Sequence, residues 1–107
     1  MKRNTAQLKE QLIQTGIEEI GKHGIEQLSL RTVAKACGVT HGSPYRHFES
    51  KEGYLKVVLT QLSLFLNQEI NQSMDATGSA RDQLTQLGLN FILFAKTYPH
   101  FFEALFI

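Results

Sequence analysis

Residues 28–52 read Leu28-Ser29-Leu30-Arg31-Thr32-Val33-Ala34-Lys35-Ala36-Cys37-Gly38-Val39-Thr40-His41-Gly42-Ser43-Pro44-Tyr45-Arg46-His47-Phe48-Glu49-Ser50-Lys51-Glu52. Leu30, Val33, Ala34 and Cys37 fall at i, i+3, i+4 and i+7 while Arg31 and Lys35 turn away. That spacing predicts a short helix from Leu30 to Cys37, with Ser29 as its N-cap. Gly38 closes it, Val39 anchors the turn, and Thr40 is expected to cap a further helix over about 41–48. A connection of roughly three or four residues is the length of a helix-turn-helix corner, whose second helix lies in the major groove of DNA.

Outward from this stretch the pattern stays helical. Leu8, Leu12, Ile13, Ile17 and Ile20 recur at helical spacing and predict an amphipathic first helix over about 5–22, ended by His23-Gly24. Gly16 weakens that helix but permits close packing. Ile25 and Leu28 are expected to connect into the core. Ser50 caps a long fourth helix carried by Leu55, Val58, Leu59, Leu62, Phe65, Leu66, Ile70 and Met74, and Thr77-Gly78-Ser79 breaks it. A fifth helix follows over Ala80 to Thr97. Its Leu84, Leu87, Leu89, Phe91, Ile92, Leu93 and Phe94 make it apolar on most faces, which predicts burial all round. Tyr98-Pro99 opens a last helical stretch, and the sequence stops amid an apolar run, the pattern of the front part of a larger protein. No strand-like alternation or repeat interrupts the pattern, so the expected fold is all-α: a three-helix bundle with a helix-turn-helix over 1–55, joined by the long fourth helix to the first helices of a C-terminal bundle over 56–107.

Composition sets the remaining bounds. The chain has 107 residues, 42% of them hydrophobic, and a net charge of +1. Residues 1–60 carry nine Lys or Arg against six acids, a surplus of +3, whereas 61–107 carry two against four, a deficit of −2. The positive surplus surrounds the helix-turn-helix pattern. No apolar run approaches the roughly 20 residues of a membrane span, and no signal-peptide pattern opens the chain, so a soluble, cytoplasmic protein is expected. Cys37 is the sole cysteine and reads as a small buried apolar side chain. His23, His41, His47 and His100 form neither an HExxH-like pair nor a carboxylate-flanked base, so the residues point to no enzyme, metal or cofactor. The competing reading is a helical protein-interaction module without DNA binding.

The stretch from Leu28 to Leu55, with Leu-Ser-Leu-Arg-Thr-Val-Ala, Gly38-Val39, Tyr45-Arg46-His47-Phe48 and Ser50-Lys51-Glu52, closely resembles the DNA-binding domain of TetR-type (AcrR-like) transcriptional regulators. The stretch from Phe94 to Phe106 is similar to the start of the ligand-binding domain in one branch of that family. The resemblance implies that Thr40, Tyr45, His47 and Lys51 hold the phosphate backbone. Base reading then falls to His41, Gly42 and Ser43, joined by Arg31 from the second helix and by Arg46. His47 has a second reading as a packing partner of Phe48, and Arg31 as a phosphate clamp or a surface salt bridge. Pro44 departs from the family's usual aliphatic residue and disfavours helical geometry at Ser43, so the recognition helix is expected to start late. By the same resemblance the full protein is a homodimeric, ligand-responsive repressor of a palindromic operator, released from double-stranded DNA by a small-molecule effector. Leu62, Phe65, Leu66, Phe91, Phe94, Tyr98 and Phe101 read either as lining of its cavity or as core.

Overall fold

The structure, a computed structural model, describes residues 4–107. Lys2 and Arg3, which enter the charge surplus, lie outside the described residues. The described residues form α1 (Thr5–His23), a short 3-10 turn (Ile25–Gln27), α2 (Leu30–Ala36), α3 (Ser43–Phe48), α4 (Lys51–Asn71), α5 (Ala80–Thr97) and α6 (Pro99–Phe106). Among them no residue is in a strand, and no helix is long and apolar enough to cross a membrane. The all-α expectation holds.

Asn4 starts α1 with a reciprocal capping box. Its Oδ1 accepts the Gln7 N–H at 2.7 Å, and its own N–H donates to Gln7 Oε1 at 3.2 Å. The buried face of α1 is Leu12, Ile13, Gly16 and Ile20. Together with Leu28, Leu30, Val33, Cys37, Phe48, Tyr54, Val58 and Leu62 from the following elements, the side chains of Leu12, Ile13 and Ile20 make the main core. Tyr54 is its keystone. Fully buried, its phenol donates to the Leu12 carbonyl at 2.5 Å, and the ring meets Phe48 edge-on at 5.0 Å. Gly16 makes this possible, because a Cβ there would collide with the Tyr54 hydroxyl. Burial, reinforced by the nearby Cys37 and only partly offset by the α1 backbone, pushes the Tyr54 phenol above its ordinary pKa.

The buried stripe of α4 is Tyr54, Val58, Leu62, Leu66 and Ile70, one residue per turn. Its lower half meets a second cluster of Leu66, Ile70 and Phe94, flanked by Phe65, Phe91, Tyr98 and Phe102. Phe101 and Leu105 of α6 pack against both clusters, so α6 folds back from α5 onto α1 and α4. The aromatic-Pro pair works as the sequence suggested, with Pro99 in the first turn of α6, where its missing N–H costs nothing.

Two expectations are corrected. Thr40 does not cap the third helix: neither it nor Gly42 makes a side-chain cap, residues 41–42 form a turn in which the Thr40 carbonyl accepts the Ser43 N–H at 3.0 Å, and regular helix starts at Ser43, the late start that Pro44 implied. Pro44 then occupies the first turn, the one place in a helix where its ring fits. Nor is the fifth helix buried all round. Only Asn90 and Phe94 are buried, whereas Leu84, Leu89, Ile92 and Leu93 are 54–70% exposed. The described neighbours, α4 and α6, cover one side of it, and one side of a helix is a stripe.

Candidate nucleic-acid interface

The corner between α2 and α3 is built by local chemistry. Ser29 Oγ accepts the Thr32 N–H at 3.4 Å and opens α2. At its other end the Gly38 N–H donates to the Lys35 carbonyl and the Val39 N–H to the Ala34 carbonyl, the paired bonds of a Schellman motif. Gly38 adopts φ +73°, a left-handed conformation that strains any residue with a Cβ. The chain therefore leaves α2 at a fixed angle, with Cys37 tucked against α1, its Sγ 3.3 Å from Thr15 Oγ1. The sequence reading of Cys37 as a buried small side chain holds.

The second corner is as tight. Glu49, the only non-glycine residue with positive φ among the described residues, donates its N–H to the Tyr45 carbonyl and ends α3. Ser50 follows at once, its Oγ accepting the Gly53 N–H at 3.0 Å to start α4. At Gly53 a Cβ would strike the Phe48 carbonyl oxygen, so the first turn of α4 lies directly on the end of α3. Lys51 thus sits in the first turn of a 21-residue helix, beside unpaired backbone N–H groups that favour an anion.

On this frame Arg31, Thr40, His41, Tyr45, Arg46 and Lys51 are exposed, and Gly42 and His47 are half-buried. Arg31, Arg46 and Lys51 have no ion-pair partner among the described residues, so the salt-bridge reading of Arg31 finds no partner here. Ser43 departs from its expected place: at 7% exposure its side chain is withdrawn into the fold, because the packing of α3 turns that position inward. The His47 ring lies 6.1 Å from Phe48, tilted by 52°, so it packs locally while keeping part of its surface free. One base escaped the sequence reading. Lys9 of α1 places its ammonium 5.7 Å from the centre of the Phe48 ring, at the foot of α3. No local pattern announces it, since the two residues meet only through tertiary packing. The described residues contain no cluster of His, Cys, Asp or Glu able to hold a metal ion.

A Schellman-closed helix, a connection over Cys37–Gly42 that is longer than the three or four residues expected, and a short helix carrying Arg46 and His47 have the build of a helix-turn-helix. The tetR family of bacterial regulatory proteins matches residues 12–58, from α1 into α4, and the chain belongs to that family. It is 34% identical over 80 residues to the probable acrEF/envCD operon repressor of Escherichia coli (strain K12), a match covering 74% of this chain and 35% of that protein. It is 29% identical over 82 residues to the HTH-type transcriptional repressor KstR2 of Mycolicibacterium smegmatis, covering 77% of this chain and 40% of that one. The chain thus spans little more than a third of the length of these curated relatives. Among solved structures, the TetR-family transcriptional regulator HI0893 of Haemophilus influenzae is 22% identical and shares the fold, with a TM-score of 0.62 over 92% of this chain and 54% of that one.

Proposed function

We propose that this chain is the DNA-reading part of a transcriptional repressor without catalytic activity, acting in the cytoplasm on double-stranded operator DNA. One observation carries the reading: three cations without partners, Arg31, Arg46 and Lys51, project from the three helices that meet at the corner. In this proposal Thr40, Tyr45, His47 and Lys51 hold phosphates, Lys51 with help from the amino end of α4. His41 reads base edges ahead of α3, Gly42 lets the DNA come close, and Arg31 and Arg46 are the remaining readers. Residues 1–55 form the DNA-binding unit, and 56–107 begin an effector-binding and dimerisation unit. A homodimer on a palindromic operator, released by a small-molecule effector, completes the proposal, supported by the relatives' description as repressors.

The test is a salt titration of duplex binding followed by fluorescence anisotropy. Lys51→Ala removes one phosphate contact, so it weakens binding to every sequence and lowers the slope of log K against log salt by about one unit. His41→Ala instead changes which sequences are preferred in a selection from random DNA. An unchanged salt slope for Lys51→Ala would sink the assignment.

A further inference from the structure

The turn between α3 and α4 is backbone under strain. Glu49 stands at φ +67° and ψ −40°, and across it the Phe48 carbonyl accepts the Ser50 N–H at 2.7 Å. A hydrogen bond from one residue to the next but one, over a central residue of positive φ, is the rare and strained form of γ-turn. Its neighbours hold it there. The Tyr45 carbonyl accepts the Glu49 N–H at 2.9 Å, and α4 lies so close on the Phe48 carbonyl that a Cβ at Gly53 would strike it. Glutamate is a poor choice for this place on two grounds. Glycine would occupy the turn without strain. An acid also opposes the phosphates that this corner is read to hold. Glu49 lies two residues from His47 and two from Lys51, so its Cα is within about 7.6 Å of each, two steps of about 3.8 Å, inside a Debye length at physiological salt. Its carboxylate is exposed and has no ion-pair partner among the described residues. Nor does α4 need it as an acid at its amino end, because Glu52 already stands in the first turn.

We propose that Glu49 is a fixed brake on DNA affinity: the locked γ-turn keeps its negative charge among the phosphate-holding side chains, where it opposes the DNA backbone whatever the base sequence. This role rests on the reading of the corner as a DNA surface. A loop free to rearrange would swing the charge away on binding, whereas this turn is pinned by the Tyr45 carbonyl on one side and the close approach of Gly53 on the other. The consequence is a weaker grip on phosphate with base contacts untouched. The protein then releases DNA at a lower salt concentration than its cations alone would dictate.

The test titrates the full chain with a mixed-sequence duplex across a salt series, followed by fluorescence anisotropy. Glu49→Gln keeps the size and the backbone preference and removes the charge. For two phosphates about 8 Å away in water it is expected to lower Kd by about three- to fivefold at low salt, the gain fading as salt rises. Glu49→Gly is expected to match that gain and also to raise the denaturation midpoint above that of Glu49→Gln, because glycine relieves the turn. Glu103→Gln, at an exposed acid of α6, controls for net charge and is expected to leave Kd unchanged. Four results overturn the proposal: a Kd of Glu49→Gln equal to the parent's or higher, a gain that persists at high salt, an equal gain in Glu103→Gln, or a glycine variant no more stable than the glutamine one. The last would mean that the turn holds nothing fixed. A parent without salt-dependent binding overturns the reading of the corner as well. Salt-dependent binding that is indifferent to Glu49 leaves that reading standing and removes only the brake.

Discussion

α1 and α5 are of similar length, 19 and 18 residues, and both are rich in apolar side chains, yet they use them in opposite ways. α1 keeps its strongly apolar residues on one stripe and turns the middle of that stripe inward, where the phenol of Tyr54 reaches its backbone. α5 spreads leucine, isoleucine and phenylalanine around its circumference, and its deepest residue besides Phe94 is the amide Asn90. The difference teaches that apolar content decides how much surface a helix offers, whereas periodicity decides how much of it a given set of neighbours can take. The head is closed by its own residues together with Phe101, Ala104 and Leu105 of α6, and α5 is held by an aromatic cluster and one polar tie.

If the head depends on close approach of α1 and α4, filling the contact is the change with the largest effect. Gly16→Val drives a branched side chain into the Tyr54 hydroxyl and is expected to destabilise the chain by about 3 kcal/mol or more in chemical denaturation. A variant as stable as the parent would show that the two helices do not meet there. Tyr54→Phe is the gentler probe, expected to cost about 1–3 kcal/mol because the Leu12 carbonyl loses its buried donor. It has a pH signature as well. Burial raises the folded-state pKa of Tyr54 above its ordinary value of about 10, so the folded state keeps a proton that the unfolded state releases. Stability is then fully present below about pH 10 and falls as pH rises through the range above it. In Tyr54→Phe that alkaline loss is expected to shrink.

The sequence disclosed the head more fully than the C-terminal pair, for a physical reason. Stripes at i, i+3 and i+4, a capping serine and a helix-ending glycine are local signals, and Ser29, Gly38 and Ser50 each act where their types suggest. The corner residues Thr40, His41, Tyr45, Arg46 and Lys51 were legible as a set because the motif fixes their spacing. What stayed hidden arises between elements. Ser43 is buried only once α3 is packed in place, Lys9 reaches Phe48 across a helix packing, and Asn90 looks like any polar residue until Ile70 is placed beside it.

Asn90 gives the next prediction down in size. Its Nδ2 donates to the Ile70 carbonyl at 2.6 Å, and its Oδ1 accepts from Gln86 at 2.8 Å and from Ser73 at 3.3 Å. Ile70 stands in the last turn of α4, where carbonyls lack helical partners. Asn90→Ala leaves that buried acceptor empty and is expected to cost about 1–3 kcal/mol, read as a lowered denaturation midpoint. Since the tie joins α4 to α5 only, hydrogen exchange should quicken in α5 and hold in α1. Equal quickening in both would mean that the head and the C-terminal pair open as one unit and that the contrast between them is not energetic.

The smallest effect belongs to the face that α5 leaves uncovered. Leu93 is 63% exposed and Leu89 54%, so replacing either by glutamine removes little burial from the folded chain and introduces no unpartnered polar group. Such surface changes usually stay within about 0.5 kcal/mol. Leu93→Gln and Leu89→Gln are therefore expected to leave the denaturation midpoint of the 107-residue chain where it is, while lowering its tendency to self-associate in sedimentation, because exposed apolar area is what drives that association. A large loss of stability from either would mean that α5 is covered on that side in solution, and the contrast with α1 would narrow to one of order of assembly.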